Sequence, residues 1–131
     1  MIRSLFPVVA LLLSGMGWAG AATTDEACST LMDVRGSLLA MLDSTDKTTR
    51  DGFKRKVYSS SAQLESILAE LVDSDNARAN AFKPVWESFK RTREQEIIPA
   101  VYAGKYTKAK SIASGIQAER MDKMKSVMGC K

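Results

Sequence analysis

Four segments of the chain carry apolar residues at every third or fourth position, the period of an amphipathic α-helix. The first runs from about residue 25 to 43, and the second from about 47 to 72. The third begins near residue 74 or 75, and the fourth runs from about 106 to 128. Because short connections join consecutive segments, we predict an all-α, up-down-up-down four-helix bundle.

Residues that start, stop or bend helices support these limits. Thr45 or Asp46 can cap the second helix, and Gly104 fits the left-handed position that follows the end of the third. Pro84 and Pro99 both lie inside the third segment. Proline removes a backbone donor and crowds the preceding turn, so we expect kinks at both positions.

The apolar face of the third helix includes an arginine. Its members recur at steps of three and four: Phe82, Trp86, Phe89, Arg93, Glu96 or Ile97, and Ala100. Arg35 in the first helix lies at a similar height in the predicted bundle. A buried arginine is costly without a partner, so each must meet a carboxylate, a bound anion or water.

Two interpretations of these arginines stay open. In one, they pair at the surface with neighbouring acids of their own helices: Asp33, Glu94 or Glu96. In the other, Arg35 and Arg93 face each other and clamp an anion, because guanidinium groups bind carboxylates in two-point geometry.

A family resemblance lies around the junction of the third and fourth helices. The motif positions are Trp86-x-x-Phe89-x-x-x-Arg93, followed by Gly104-Lys105-Tyr106 and Ala109. They resemble the four-helix-bundle ligand-sensing domain of methyl-accepting chemotaxis receptors.

This resemblance implies a sensor that binds a small organic acid or amino acid between its helices, with Arg35 and Arg93 as ligand-binding candidates. It also implies a weak homodimer formed through the first helix. Met32 and Leu39 lie off the main apolar stripe of that helix and could form the contact.

The N-terminus has the features of a secretory signal peptide over residues 1–21. Arg3 precedes an apolar run from Leu5 to Leu13, and small residues end at Ala21. We therefore expect a mature domain of residues 22–131 in the periplasm or secreted, without a membrane segment after cleavage. An uncleaved membrane anchor is the alternative.

The two cysteines lie near opposite ends of the mature chain. Cys28 falls in the first turn of the first helix, and Cys130 follows the fourth helix. Both ends of an up-down-up-down bundle lie on the same side, and an exported protein can keep a disulfide. We predict a bond between them, with a bond between two protomers as the alternative.

The remaining composition argues against several function classes. The formal net charge of +4 is spread along the chain, so we expect no nucleic-acid partner. Histidine is absent, and no nucleophile-base pair or phosphate loop appears, so we predict neither an enzyme nor a cofactor. Met121, Met124 and Met128 form a stripe near Cys130 that could carry copper(I), although core packing is the simpler interpretation. A purely structural or interaction bundle is a further alternative.

Overall fold

The first helical hairpin of the protein joins its two longest helices. The computed structural model describes residues 21–131, so nearly all of the predicted signal peptide lies outside the described residues. Helix α1 spans Thr24–Asp43 and helix α2 spans Lys47–Asp73. Thr23 caps α1 in a reciprocal capping box with Glu26, and Asp46 caps α2 by accepting a hydrogen bond from the Thr49 amide at 2.9 Å.

The second hairpin consists of two interrupted bundle helices. The third bundle helix contains α3 (Ala77–Thr92), a π-helical turn (Arg93–Ile97) and α4 (Ile98–Tyr102). The fourth contains α5 (Tyr106–Ser114) and α6 (Ile116–Met128). The connection between them is the short segment that the glycine signal predicted.

The helices form a ring in which each bundle helix has two neighbours. Helix α1 packs extensively on α2 and only sparsely on α5 and α6, whereas α3 packs on α6 and less closely on α2. One continuous apolar core lies between them. No strand occurs in the described part of the chain. The predicted all-α four-helix bundle is therefore confirmed.

The start of the third bundle helix differs from the prediction. Asn76, rather than Ser74 or Asp75, is the N-cap, and its side chain accepts a hydrogen bond from the Ala79 amide at 3.0 Å. Asp75 has a left-handed φ of 59°. The chain thus ends α2 and reverses before α3 begins at Ala77, two or three residues after the predicted start.

The predicted kinks are partly realised. Helix α3 continues through Pro84. Pro99 lies in the first turn of α4, and the turn before it widens to the π form. The fourth bundle helix was expected to be continuous but breaks at Gly115. A Cβ atom there would lie 3.0 Å from the Ser111 carbonyl oxygen.

A disulfide within one chain joins the start of α1 to the segment that follows α6. The Cα atoms of Cys28 and Cys130 lie 5.6 Å apart, although the residues are 102 positions apart in sequence. Gly129 ends α6 with a φ of 78°, and the Cys130 amide donates to the Lys125 carbonyl at 2.8 Å. This left-handed turn brings Cys130 back towards the first turn of α1.

Candidate functional site

Arg93 is buried at the interface of α2 and the third bundle helix. Only 3% of its surface is exposed. Its Nη1 donates to Ser61 Oγ at 2.8 Å, and its Nε donates to Glu94 Oε2 at 2.9 Å. The guanidinium also lies over the rings of Tyr58 and Trp86, at 5.4 and 6.0 Å from their centroids. The charge of Arg93 is therefore compensated inside the protein.

Glu94 links this arginine to the surface. Its carboxylate is about two-fifths exposed and also accepts a hydrogen bond from the Tyr58 hydroxyl. Burial of Tyr58 and this hydrogen bond raise the pKa of the phenol to about 12. In the structure, Arg93 pairs with Glu94. This is the first of the two interpretations that the sequence left open for Arg93.

Arg35 lies in a different environment. It is exposed on α1 and lines a cavity of about 390 Å³ between α1 and the fourth bundle helix. Within residues 21–131, Arg35 forms no ion pair. Its guanidinium is available to an anion in the cavity without breaking an existing pair.

The cavity has an apolar interior with charges at its margins. Its lining comes from α1, from α3 through Phe89, and from both segments of the fourth bundle helix. The apolar members of this lining are Leu38, Leu39, Leu42, Phe89, Ala113, Ala118 and Met121. A volume of this size falls at the lower end of the range for small-molecule sites, about 300–1,000 Å³.

The structure does not bring the two arginines together. Arg93 faces α2, whereas Arg35 lines the cavity beside the fourth bundle helix, on the opposite side of the ring. None of the groups that contact the Arg93 guanidinium lines that cavity. The expectation that they face each other was wrong, because Arg35 points away from the stripe that enters the core.

The floor of the cavity contains a buried polar side chain that the sequence analysis did not select. Gln117 is 2% exposed. Its Nε2 donates to the Phe89 carbonyl at 2.9 Å, and its Oε1 accepts from Arg120 Nη1 at 2.9 Å. Gln117 lies four residues before Met121 and seven before Met124 on the methionine stripe, a spacing that could have indicated its burial.

Arg50 is a second buried arginine that the sequence analysis missed. It is 7% exposed and lies where the two hairpin connections meet. Its Nη2 donates to the Ser44 carbonyl at 3.0 Å and to the Tyr106 hydroxyl at 3.1 Å. The guanidinium lies over the rings of Tyr102 and Tyr106. Arg50 therefore ties the two hairpins together at this end of the bundle.

A second cavity of about 390 Å³ lies between α2 and α3 and is occupied at one end by an internal ion pair. Lys90 bonds to Glu65 and Glu87, and the Trp86 indole donates to Glu65 at 3.0 Å. Burial acts to raise the pKa of Glu65, but the hydrogen bonds from Lys90 and Trp86 outweigh it and lower that pKa. The charges here are paired with one another.

The methionine stripe belongs to the core. Met121, Met124 and Met128 are at most 3% exposed, and Cys130 is bonded to Cys28. The thioethers are packed against apolar neighbours, and the thiol that would complete a copper site is used in the disulfide. The copper-carrier alternative therefore lacks the ligand surface it requires.

Comparison with known proteins agrees with the fold. The described residues form an all-α four-helix bundle with a cavity between its first and fourth bundle helices. A family model described as a four helix bundle sensory module for signal transduction matches residues 20–129. The chain belongs to this family, the sensory module of chemotaxis receptors, as the motif positions predicted.

Two further comparisons added no relatives. Neither the curated proteins nor the solved structures gave a match. No helix in residues 21–131 has both the length and the apolar character needed to cross a membrane. The family description names a signalling module rather than an enzyme.

Proposed function

We propose that this sensory module binds a small anionic ligand in the cavity between α1 and the fourth bundle helix. The observation that carries the proposal is Arg35, an arginine without an ion pair in the described chain, at the edge of an apolar cavity. A guanidinium at such a position can bind a carboxylate in two-point geometry. Arg35 is then the residue that anchors the ligand.

Arg93 contributes to this proposal as a structural residue. Its guanidinium already bonds to Glu94 and Ser61, so a ligand would have to displace both groups and enter the core. Of the two arginines predicted to bind the ligand, Arg93 therefore has less support than Arg35.

The proposed location is the periplasm or the exterior of the cell. The signal-peptide pattern in residues 1–21 supports export. The bond between Cys28 and Cys130 agrees with an oxidising compartment, because structural disulfides persist there and are rare in the cytosol.

A second copy of the chain is a proposed partner. Met32 and Leu39 lie seven residues apart on α1 and are 39% and 41% exposed, so they form an apolar strip on the outer face. Two copies could pair weakly along this strip. Sedimentation should show a dimer at high concentration that Leu39→Glu abolishes, and a strict monomer would contradict the pairing.

A thermal-shift screen of small carboxylates and amino acids tests the ligand proposal. A ligand at a hundredfold excess over its Kd should stabilise the fold by about 2.7 kcal/mol. Arg35→Met keeps the apolar stem but removes the guanidinium, so it should abolish the shift. Arg55→Met makes the same change at an exposed position of α2 and should leave the shift intact. If no compound shifts the wild type, the purely structural or interaction bundle is the remaining interpretation.

A further inference from the structure

We infer that the ligand of the cavity between α1 and the fourth bundle helix is a monocarboxylate with an apolar body. The carboxylate binds Arg35, and the body lies along the groove between the helices. This inference rests on the proposed function and adds the chemical class of the ligand. The lining, the charges and the state of the polar groups each support it.

The lining favours an apolar body. Leucines of α1 form one wall, and Ala113, Ala118 and Met121 form the opposite wall. Phe89 of α3 also lines the cavity. Each apolar surface that a ligand covers here is removed from water, which is the main favourable contribution to binding in such a cavity. A small dicarboxylate or polar amino acid would leave these walls uncovered.

The distribution of charge favours a single carboxylate. Arg35 is unpaired among the described residues, whereas Lys110 near the far margin forms an exposed ion pair with Asp43, with 3.5 Å between the charged atoms. Arg35 and Asp43 are eight residues apart on α1, which corresponds to about 12 Å along the helix. A second carboxylate at that distance would meet Asp43 and an ammonium that is already paired. One anionic end and one uncharged end fit this arrangement.

Apart from Arg35, the polar side chains of the lining already have partners. Gln117 uses both ends of its amide, on the Phe89 carbonyl and on Arg120. The Ser114 hydroxyl donates to the Lys110 carbonyl at 2.9 Å. A ligand body with hydroxyl or amino groups would find fewer partners here than in water, because Gln117 is already engaged at both ends and the walls are apolar. A hydrocarbon body makes no such demand.

Calorimetric titration with four probes tests the inference directly. Octanoate carries one carboxylate and an apolar body, 1-octanol has the body without the charge, and succinate and glutamate have charge without the apolar body. All are used at concentrations at which octanoate does not form micelles. We expect octanoate to bind and the other three to bind at least tenfold more weakly.

Two pairs of variants locate the binding. Arg35→Met should weaken octanoate binding by about tenfold to a hundredfold, the range for losing a hydrogen-bonded charge, whereas Arg55→Met should not. Ala118→Trp fills the cavity and should also abolish binding. Ala62→Trp introduces the same ring at an exposed position of α2 and serves as its control.

Each outcome decides between the inference and the proposal on which it rests. If succinate or glutamate binds through Arg35 and octanoate does not, the ligand class is wrong and the proposed function stands. If octanoate binds all four variants equally, binding is a nonspecific apolar association, and the inference is overturned. If no probe binds and the wider carboxylate screen is also negative, both the inference and the proposed function are overturned.

Discussion

The disulfide between Cys28 and Cys130 should contribute a large part of the stability of this domain. The bond closes a loop of about a hundred residues, since its ends are 102 positions apart. In the chain-entropy model, closing a loop of about 100 residues lowers the entropy of the unfolded chain enough to stabilise the fold by about 4.7 kcal/mol. Small domains have a total stability of about 5–15 kcal/mol, so this bond could decide whether the fold persists on heating.

Urea unfolding followed by tryptophan fluorescence measures this contribution. In the chain from Ala22 onward, Trp86 is the single tryptophan, and it is 1% exposed in the folded state. The double variant Cys28→Ser/Cys130→Ser should lose about 4–5 kcal/mol of unfolding free energy relative to the oxidised wild type. At about 4 °C per kcal/mol, the melting temperature should fall by roughly 20 °C.

Two controls separate loop closure from local damage. The wild type reduced with a phosphine should unfold at the same urea concentration as the double variant, because both lack only the cross-link. Each single serine variant should match them when dimer formation is prevented. A difference below about 1.5 kcal/mol between the oxidised and reduced chains would refute the reasoning, since it would mean that the unfolded chain is already restricted.

Three further predictions concern single residues and are tested by urea unfolding. Arg93→Met should change the unfolding free energy by no more than about 1 kcal/mol, because Glu94 is partly exposed and stays hydrated. Arg93→Ala should lower it by about 2–4 kcal/mol, because it leaves a cavity. A large loss in the methionine variant would show that the ion pair itself is essential. Gly129→Ala should lower the free energy of unfolding by about 1–2 kcal/mol, because φ is 78° at this position and a Cβ atom would lie 2.5 Å from Arg78 Nη1. An unchanged free energy of unfolding would contradict this. Tyr58 has a folded pKa of about 12, above its usual 10, so its stabilising contribution should be complete below pH 10 and lost as the pH rises towards 12. Tyr58→Phe should therefore lose less stability than the wild type over this interval, and identical alkaline profiles would count against the raised pKa.

Periodicity predicted the fold well but was not applied fully to the polar residues. Arg35 is next to Val34 but off the stripe of α1, so its exposure follows from the same spacing that predicted the helix. Arg50 lies one heptad before Val57 and is buried, as are the apolar residues one and two heptads further on. Including polar residues in the stripe would have selected Arg50 and Gln117 as buried groups that need partners.

Other features could not be read from spacing alone. The π-helical turn at Arg93–Ile97 has no signal in the apolar spacing. The break at Gly115 has none either, because a helix interior tolerates one glycine at a cost of only about 1 kcal/mol. The side of the ring that each arginine faces depends on how the bundle helices pack. The sequence therefore predicted the helices and the disulfide partners. It did not predict that Arg35 would line a cavity between α1 and the fourth bundle helix.

The break at Gly115 lies in the wall of the candidate ligand cavity. Lys110 and Ala113 line it from α5, and Gln117 and Met121 line it from α6. The width of the cavity therefore depends on the angle between the two segments of the fourth bundle helix. A ligand that fits one angle better than another would bend or straighten this helix, and a change in the distance between spin labels on either side of Gly115 would measure it. The same glycine that interrupts the helix would thus be the joint at which occupancy of the cavity becomes a change of shape.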